Sequence, residues 1–399
     1  MKAQAIKLND RVYWVGAIDW GMKEFHGYET QGSTYNAYLI IADKITLIDT
    51  VKAEFKDELM ARISSVIEPE KIDYIVSNHT EMDHTGSLPA IIEAVKPEKV
   101  FASKEGAKAI PEHFKLSMPV TAVDDGETLS LGEKATLNFI HSRMIHWPDS
   151  MLTYLVEDGI LFSQDAFGMH LASSERFDDQ IDPCVLDYEA AKYYANIINP
   201  FSNLVAKLME KLASLNLDLK LIAPDHGPVW RKYIDTAIKH YGRWSNPQPT
   251  LKTIITYDTM WHSTEKMALA ISEGVLAGGA KPRIMPLSTF HFSDIVTELL
   301  DSGALIVGCP TFNSGLLPSV AGFLQYAKGL KFRYMLGGAF GSYGWSPGAV
   351  KQINETLSSM RVEVVEDGVQ AKYVPTEEAL SQCYDYGLKI ADKLKSLVK

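Results

Sequence analysis

Cysteine is scarce in this chain of 399 residues, which contains three of them. Cys184, Cys309 and Cys383 are isolated from one another in the sequence. Neither a disulfide framework nor a Cys-x-x-Cys metal knuckle is expected from three isolated cysteines. Any metal bound here must therefore be held by nitrogen and oxygen atoms.

Long apolar runs are also missing, and so is a positive net charge. No run approaches membrane-spanning length, and the first ten residues lack the apolar segment of a signal peptide. We therefore expect a soluble, cytoplasmic protein with no membrane partner. The formal net charge of −11 disfavours nucleic acid as a partner, although a local basic patch can still receive an acidic redox protein.

Potential metal ligands are concentrated in the stretch Ser77–Gly86, which follows the apolar run Ile72–Val76. The apolar run predicts a buried strand, so the ligands lie where a strand ends, on a rigid support. A charged loop whose histidines only hydrogen-bond their neighbours is the plainer interpretation, and a lone His-x-Glu pair would favour it. The candidate ligands are His79, Glu81, Asp83 and His84.

Three more candidate ligands occur in similar settings and favour a metal site. His146, Asp165 and His226 each come directly or soon after an apolar strand candidate. His26 lies in an aromatic, glycine-containing loop and Tyr194 in the predicted helix of residues 188–215, and both are kept as catalytic candidates beside the metal. An ordinary loop histidine explains His26 about equally well, and tyrosines such as Tyr194 more often serve packing than proton donation.

A segment with two prolines, Arg243–Pro249, interrupts the helical pattern and predicts a domain boundary. We place the domains at residues 1–248 and 249–399. Strands and helices alternate around the ligand loops of the first domain, which predicts two sheets covered by helices. Regular strand and helix alternation in the second domain predicts a five-stranded, doubly wound parallel sheet.

A phosphate site is predicted where the strand Leu251–Tyr257 ends and the helix of residues 265–275 begins. Backbone amides at a helix N-terminus, together with three hydroxyls, can hold a phosphate without lysine. An N-capping loop, with Ser263 or Thr264 as the cap, is the alternative. The candidate residues are Thr259, Met260, Trp261, His262, Ser263 and Thr264.

Two further loops follow the predicted strands Ala304–Pro310 and Tyr334–Phe340. Loops at the carboxyl ends of neighbouring parallel strands bind the ligand of an open sheet, and their aromatic side chains suit a flat ring. The candidate residues are Pro310, Thr311, Phe312, Asn313, Ser314 and Gly315 in the first loop, and Ser342, Tyr343, Gly344 and Trp345 in the second.

These motifs resemble two known folds joined in one chain. The second domain resembles flavodoxin, with Tyr257-x-Thr259 and Thr264 in frame but His262 where a small residue is usual. The first resembles the metallo-β-lactamase superfamily, with Glu81 in place of the second histidine of His-x-His-x-Asp-His. Over essentially its whole length the chain thus resembles the flavodiiron proteins, also called A-type flavoproteins. The resemblance implies an α/β and α+β protein, an N-terminal metallo-β-lactamase-like αββα sandwich followed by a flavodoxin-like sheet.

The resemblance also implies FMN and two non-haem iron ions as cofactors. It assigns one iron to His79, Glu81 and His146, the other to Asp83 and His226, the bridge to Asp165, and a further ligand, replaced by water in some members, to His84. Three carboxylates balance much of the charge of two ferrous ions, and mixed imidazole and carboxylate ligation suits iron or manganese. A dizinc hydrolase usually needs no such extra carboxylate.

The activity that the resemblance implies is reduction of nitric oxide to nitrous oxide, of oxygen to water, or of both. It further implies a rubredoxin-like electron donor and a head-to-tail homodimer or a dimer of dimers. Two other functions stay open from the residues alone: a dinuclear metallohydrolase with a regulatory flavodoxin domain, and an electron carrier or sensor that has lost its metal.

Overall fold

The computed structural model describes residues 3–333 and 335–398. The chain divides into two compact units. Unit 1 runs up to Tyr193 and includes Phe201–Gly242, while unit 2 combines Tyr194–Pro200 with the residues from Arg243 onward. The domain ranges 1–248 and 249–399 stay predictions. Among the described residues, no helix has both the length and the apolar character needed to cross a membrane.

Unit 1 is built on two large sheets, and two small sheets pair β3 with β6 and β4 with β5. Its described strands are β1 (Ile6–Lys7), β2 (Val12–Trp14), β3 (Ala17–Asp19), β4 (Glu24–Phe25), β5 (Tyr28–Glu29), β6 (Ser33–Tyr35), β7 (Tyr38–Ile40), β8 (Thr46–Ile48), β9 (Tyr74–Ser77), β10 (Lys99–Ser103), β11 (Val120–Val123), β12 (Thr128–Ser130), β13 (Thr136–His141), β14 (Met151–Leu155), β15 (Ile160–Gln164) and β16 (Leu221–Pro224). The strand order is β1-β2-β7-β8-β9-β10-β11 in the first sheet and β12-β13-β14-β15-β16 in the second. Strands β8 to β11 run parallel, as do β15 and β16.

The two sheets share a core because successive strand residues point to opposite faces. In β9, Val76 packs with Phe162 of the second sheet, whereas Ile75 packs with Leu59 and Ile63 of a helix on the other face. The α-helices that begin in unit 1 are α1 (Lys56–Ser64), α2 (Met82–Thr85), α3 (Leu88–Val95), α4 (Lys104–His113), α5 (Pro183–Tyr193), α6 (Ser202–Ser214) and α7 (Ile234–Ser245).

The predicted long helical stretch over residues 188–215 is helical almost throughout, but it is not one regular α-helix. Helix α5 ends at Tyr193, a π-helical turn spans Tyr194–Ile198, and a 3₁₀ turn spans Asn199–Phe201 before α6 begins. Pro200 has no backbone N–H and its ring clashes with a preceding carbonyl, so a regular α-helix cannot continue through it. Helix-favouring residues on both sides hid this break from the sequence pattern.

Unit 2 is a doubly wound parallel sheet, as predicted. Its described elements are β17 (Lys252–Tyr257), α8 (Ser263–Ala277), β18 (Lys281–Pro286), α9 (Phe292–Leu299), β19 (Ala304–Gly308), α10 (Pro318–Leu330), β20 (Leu336–Tyr343), α11 (Ala349–Ser359), β21 (Glu363–Val364), β22 (Val369–Lys372) and α12 (Glu377–Leu397). The order is β18-β17-β19-β20-β21. Strands β21 and β22 both run parallel to β20 at different heights, so they share the fifth position.

Strand β20 begins at Leu336 and runs past its predicted end at Phe340. Its predicted first residue, Tyr334, lies outside the described residues. At the other end the strand continues to Tyr343, so Ser342 and Tyr343 belong to the strand end rather than to the loop. Pairing with β22 accounts for the extension, because Phe340 to Tyr343 lie opposite Val369 to Lys372.

Candidate metal centre and flavin site

The ligand loop after β9 is held in place by Asp49. Asp49 follows β8 with a φ of 54°, in the left-handed region that aspartate tolerates better than most residues. Its Oδ1 accepts from the backbone N–H of Asn78 at 2.6 Å and its Oδ2 from the Asn78 side chain at 2.8 Å. This clamp fixes the chain one residue before His79. The loop then leads into α2, which carries Asp83 and His84.

The other three candidate ligands come from the second sheet. His146 lies between β13 and β14, Asp165 directly follows β15, and His226 is two residues beyond β16. The structure brings all seven candidates together, and each is at most 8% exposed. Two groups have donor atoms within 4.8 Å of one another, namely His79, Glu81, His146 and Asp165, and Asp83, His84 and His226.

Asp165 faces both groups, one carboxylate oxygen to each. Its Oδ2 lies 3.3 Å from Nε2 of His79 and 3.1 Å from Nε2 of His146. Its Oδ1 lies 3.2 Å from Nε2 of His84 and 3.3 Å from Nε2 of His226. We call His79, Glu81 and His146 the first half-site and Asp83, His84 and His226 the second. Asp165 is placed to bridge ions in the two half-sites.

The donor atoms fit two bound metal ions. Both oxygens of Asp165 and of Asp83, and Nε2 of His84, are buried without a hydrogen-bond partner. Burying such atoms unpaired is costly, so a ligand is expected there. Two ligands bound cis to one ion, each about 2.1 Å from it, lie about 3 Å apart, close to the separations that surround Asp165. Three carboxylates in the set favour hard cations such as iron over zinc.

The charges of the cluster shift its proton affinities strongly. Burial by itself would raise the pKa of Asp165, but the neighbouring imidazolium groups of His79 and His84 together lower that pKa well below its usual range. Burial would likewise lower the pKa of His84, but Asp83 and Asp165 beside it raise the pKa to about 9. The carboxylates are therefore ionised, and protons on the histidines compete with metal ions for the same nitrogens.

A carboxylate and a carbonyl hydrogen-bond the outer nitrogen of two ligand histidines, and a second carboxylate lies beside that of a third without forming a hydrogen bond. Nδ1 of His79 lies 3.0 Å from Oδ2 of Asp149, and Nδ1 of His84 lies 3.4 Å from Oδ2 of Asp225. Nδ1 of His226 donates to the carbonyl of Thr34 at 2.6 Å. Such partners leave Nε2 free to bind a metal. Our sequence reasoning missed Asp149 and Asp225, although both lie within three residues of a predicted ligand.

His26 reaches the first half-site through Glu81. It lies at the tip of the β4–β5 hairpin, and its Nε2 is 2.6 Å from Oε1 of Glu81. The other oxygen of Glu81, Oε2, lies 3.2 Å from Nε2 of His146. The hydrogen bond to Glu81 raises the pKa of His26, despite burial. His26 is thus a partner of a predicted ligand, and about half of its side chain is exposed.

Tyr193, the neighbour of the candidate Tyr194, lies beside the cluster. The ring centroid of Tyr193 lies 5.2 Å from that of His170 and 6.1 Å from that of His226. The ring of Tyr194 instead packs 5.1 Å from that of Trp244. The switch from α-helix to π-helix at Tyr194 turns the two neighbouring side chains to different surroundings. Tyr194 stays a prediction, and we add two candidates that the sequence analysis overlooked, Tyr193 and the buried His170.

The predicted phosphate loop presents unused hydroxyls. Oγ1 of Thr259 and Oγ1 of Thr264 are buried without a hydrogen-bond partner. Helix α8 starts at Ser263, and its N-cap is His262, which has a φ of 62° and makes no side-chain capping bond. The capping alternative, with Ser263 or Thr264 as the cap, is therefore wrong. Free hydroxyls beside a helix N-terminus fit a phosphate group.

The two ring loops lie at the same sheet edge as the phosphate loop, because β17, β19 and β20 are parallel neighbours. Phe312 and Gly315 exchange two backbone hydrogen bonds of 3.0 and 2.8 Å. Asn313 and Ser314 between them have φ values of 46° and 61°. The backbone N–H of Thr311 donates to Ser342 at 2.8 Å, which ties this turn to β20.

Large aromatic side chains project from these loops into solvent. Trp261 is 86% exposed, Trp345 is 90% exposed and Phe312 is 39% exposed. Exposed aromatic groups of this size mark a binding surface, and their flat faces suit a flavin ring. The buried hydroxyls and these aromatics together fit FMN.

Comparison with known proteins identifies the class first. The family described as ODP family beta lactamase matches residues 34–227, and the flavodoxin family matches residues 255–387. A nitric oxide reductase of Moorella thermoacetica is 44% identical over 397 residues, which cover 98% of this chain and 99% of that protein. The chain is therefore an oxidoreductase that joins a metallo-β-lactamase-like unit to a flavodoxin-like unit.

Solved structures narrow the identification. The rubredoxin oxygen:oxidoreductase of Desulfovibrio gigas superposes with a TM-score of 0.96 at 46% identity, covering 98% of this chain and 99% of that chain. The flavodiiron protein of Giardia intestinalis superposes with a TM-score of 0.94 at 34% identity, covering 99% and 97%. This chain belongs to the flavodiiron protein family. The predicted family and fold class are confirmed, and membership implies FMN and a diiron site.

Proposed function

We propose that this enzyme reduces nitric oxide to nitrous oxide, oxygen to water, or both, at two iron ions that receive electrons through FMN. The observation that carries the proposal is the placement of Asp165, whose oxygens face two separate half-sites that each have a carboxylate of their own. The Moorella relative is named a nitric oxide reductase and the Desulfovibrio relative a rubredoxin oxygen:oxidoreductase, which supports both gases as substrates.

We propose the ligands and the FMN contacts residue by residue. The first half-site, with His79, Glu81 and His146, holds one ion; the second half-site, with Asp83, His84 and His226, holds the other; and Asp165 bridges them. FMN is held by Thr259, Met260, Trp261, His262, Ser263, Thr264, Pro310, Thr311, Phe312, Asn313, Ser314, Gly315, Ser342, Tyr343, Gly344 and Trp345.

When bound, the pair of irons supplies two electrons and FMN supplies another two. Four electrons are thus available for oxygen, and two suffice for a pair of nitric oxide molecules. Balanced equations require four protons for oxygen and two for nitric oxide. The protein fixes charge and access: buried carboxylates offset the cations, and the buried ligand set limits entry of water. His26 holds a proton at Nε2 against Glu81 and is half-exposed, so it can exchange that proton with solvent.

We further propose that a separate rubredoxin-like protein supplies the electrons, as the name of the Desulfovibrio relative suggests. The three cysteines are free in the structure, two of them buried. Free, buried thiols are typical of a reducing compartment, and we place the enzyme in the cytoplasm on that basis.

Exposed apolar side chains support a head-to-tail homodimer or a dimer of dimers. Met82, between the ligands Glu81 and Asp83, is 49% exposed. Trp261 and Trp345 at the flavin edge of unit 2 are more exposed still. In a two-fold dimer, the flavin edge of each subunit covers the metal face of its partner, and both pairs form at once.

Metal and flavin analysis of the purified protein tests the proposal. About two irons and one FMN per chain support it, zinc would indicate the hydrolase, and absence of metal would indicate the electron carrier. Steady-state rates with each gas, driven by a reduced rubredoxin, then show which substrate is preferred. His141→Ala, at a histidine outside the cluster, is the matched control for His226→Ala, which should lose metal and activity.

A further inference from the structure

His170 is a buried histidine that touches the second half-site without belonging to it. It is 1% exposed, and its ring centroid lies 4.3 Å from that of His226. Phe25, Tyr28 and Tyr193 surround the ring at centroid distances of 4.5, 5.6 and 5.2 Å. These three aromatic side chains fix the orientation of the His170 ring, but packing alone does not require a histidine at this position.

A short chain of hydrogen bonds connects His170 to the ligand His226. Nδ1 of His170 lies 2.7 Å from Oγ of Ser33, and that hydroxyl donates to the carbonyl of Thr34 at 3.1 Å. The same carbonyl accepts from Nδ1 of His226 at 2.6 Å. With the Ser33 hydroxyl donating to Thr34, the matching tautomer of His170 carries its proton on Nδ1 and donates it to Ser33.

Ser33 lies at the centre of this arrangement. Its Oγ is also 3.4 Å from Nδ1 of His226, so a rotated hydroxyl would approach the ligand histidine directly. His170 keeps the hydroxyl turned to Thr34, and hydrogen bonds in such a chain polarise one another. The carbonyl of Thr34 is thereby held as the strong partner of Nδ1 of His226, the ring nitrogen that faces away from Asp83 and Asp165.

We propose that His170 is a positioning residue for the second half-site, acting through Ser33 and the carbonyl of Thr34 to set the orientation of His226. The inference rests on the proposed binding of an iron ion by His226. The metal ligand His226 is bonded to the carbonyl of Thr34. Ser33 and His170 in turn hold that carbonyl in position. Outer partners of metal-binding histidines are generally worth 10–100-fold in metal affinity.

Iron release from the anaerobic, reduced, FMN-containing enzyme into excess ferrous chelator tests the proposal without using activity. His170→Phe keeps the ring packing and removes the bond to Ser33, while Ser33→Ala removes the next link. Each should release one of the two irons about tenfold faster and leave the other unchanged. The double variant should match the single ones, because both remove one chain of contacts.

His170→Asn provides the discriminating variant, because its amide occupies the position of Nδ1 and can restore the bond to Ser33. Iron release at the wild-type rate in His170→Asn would support the positioning role. Iron release as fast as in His170→Phe would mean that His170 contributes only packing. His141→Phe, at a half-buried histidine whose Nε2 lies 3.2 Å from the carbonyl of Val123, is the matched control and should behave as wild type.

Three outcomes would overturn the proposal: wild-type release in folded His170→Phe, wild-type release in Ser33→Ala, or additive effects in the double variant. If His170→Phe does not fold, the Ser33→Ala and His170→Asn pair still decides the matter. His226→Ala separates the two levels of inference. Retention of both irons in that variant would refute the ligand assignment itself, whereas loss of one iron there, with no effect in Ser33→Ala, would refute only the role of His170.

Discussion

Nε2 of His26 lies 2.6 Å from Oε1 of Glu81, while the opposite oxygen of the same carboxylate faces the histidines of the first half-site. The two oxygens of Glu81 thus have separate tasks, one toward the metal position and one toward the hairpin that carries His26. A ligand shared in this way is oriented from outside the cluster, and the hairpin is the only part of the contact that is substantially exposed among the residues described.

Removing that support should loosen the first half-site. We expect His26→Ala to weaken binding of one iron by about 10–100-fold, the range found for outer-shell partners, and His26→Gln to retain most of the affinity because its amide nitrogen replaces Nε2. Titration against a competing chelator measures both. Equal affinities in His26→Ala and wild type would show that Glu81 is oriented without its partner.

Asp165→Asn should cripple the metal pair and spare the flavin. The amide removes a negative charge and one of the two anionic oxygens that face separate half-sites, so we expect fewer than two irons per chain with FMN retained. Elemental analysis and the flavin absorbance give both numbers. Asp187→Asn, at an exposed aspartate, is the control, and full iron loading with full gas reduction in Asp165→Asn would contradict the bridging role.

Loss of the buried hydroxyls should weaken FMN binding selectively. A hydrogen bond to a charged group contributes about 1.5–3 kcal/mol, so Thr264→Ala should raise the dissociation constant of FMN by roughly 10-fold or more. Fluorescence titration of the flavin-free protein measures this constant. Thr253→Ala is a close control, since its hydroxyl is also buried and unpartnered but lies at the opposite end of β17. Equal losses in both variants would indicate a general packing effect.

The metal-free protein should lose stability as the pH rises from about 6.5 to about 9. Burial by itself would lower the pKa of His84, but Asp83 and Asp165 beside it raise that pKa to about 9, above its value in the unfolded chain. The stabilisation is therefore complete below pH 6.5 and is lost as the pH passes the folded pKa, roughly 3 kcal/mol from this residue. Urea unfolding at both pH values measures the change.

Iron-loaded protein should show a smaller loss over the same range, because the ions occupy the nitrogens that otherwise bind protons. His84→Asn is the matching variant for the metal-free form and should flatten its pH dependence. Parallel losses in the metal-free and loaded proteins would mean that protonation elsewhere in the chain dominates.

The dimer proposal predicts complementation between two inactive chains. One chain carries His146→Ala with Asp165→Ala, and the other carries Thr259→Ala with Thr264→Ala. Each homodimer should be inactive, whereas the purified mixed dimer should regain one working flavin and iron pair and about half of the wild-type activity. A mixed dimer that stays inactive, although each chain keeps its unmutated cofactor, would mean that electrons travel within one subunit.

Much of the site could be predicted from the sequence because residues that commonly bind metals follow directly or soon after recognisable strands. All seven candidate ligands converge, since each follows a strand whose apolar run identified it. Tyr193 was passed over in favour of Tyr194 because helical periodicity does not reveal a π-helical turn. His170 was missed for a different reason: it follows no apolar run, and its partner Ser33 is far away in the sequence.

The metal cluster draws His79 from the end of a strand in the first sheet and Asp165 and His226 from the ends of strands in the second. Bound ions would therefore cross-link segments far apart in the sequence, and they favour the folded state because the ligands converge only there. The three cysteines are free, so the metal centre would stabilise this fold as disulfide bridges stabilise other proteins. Iron supply should consequently govern not only turnover but also how much folded protein accumulates in the cell.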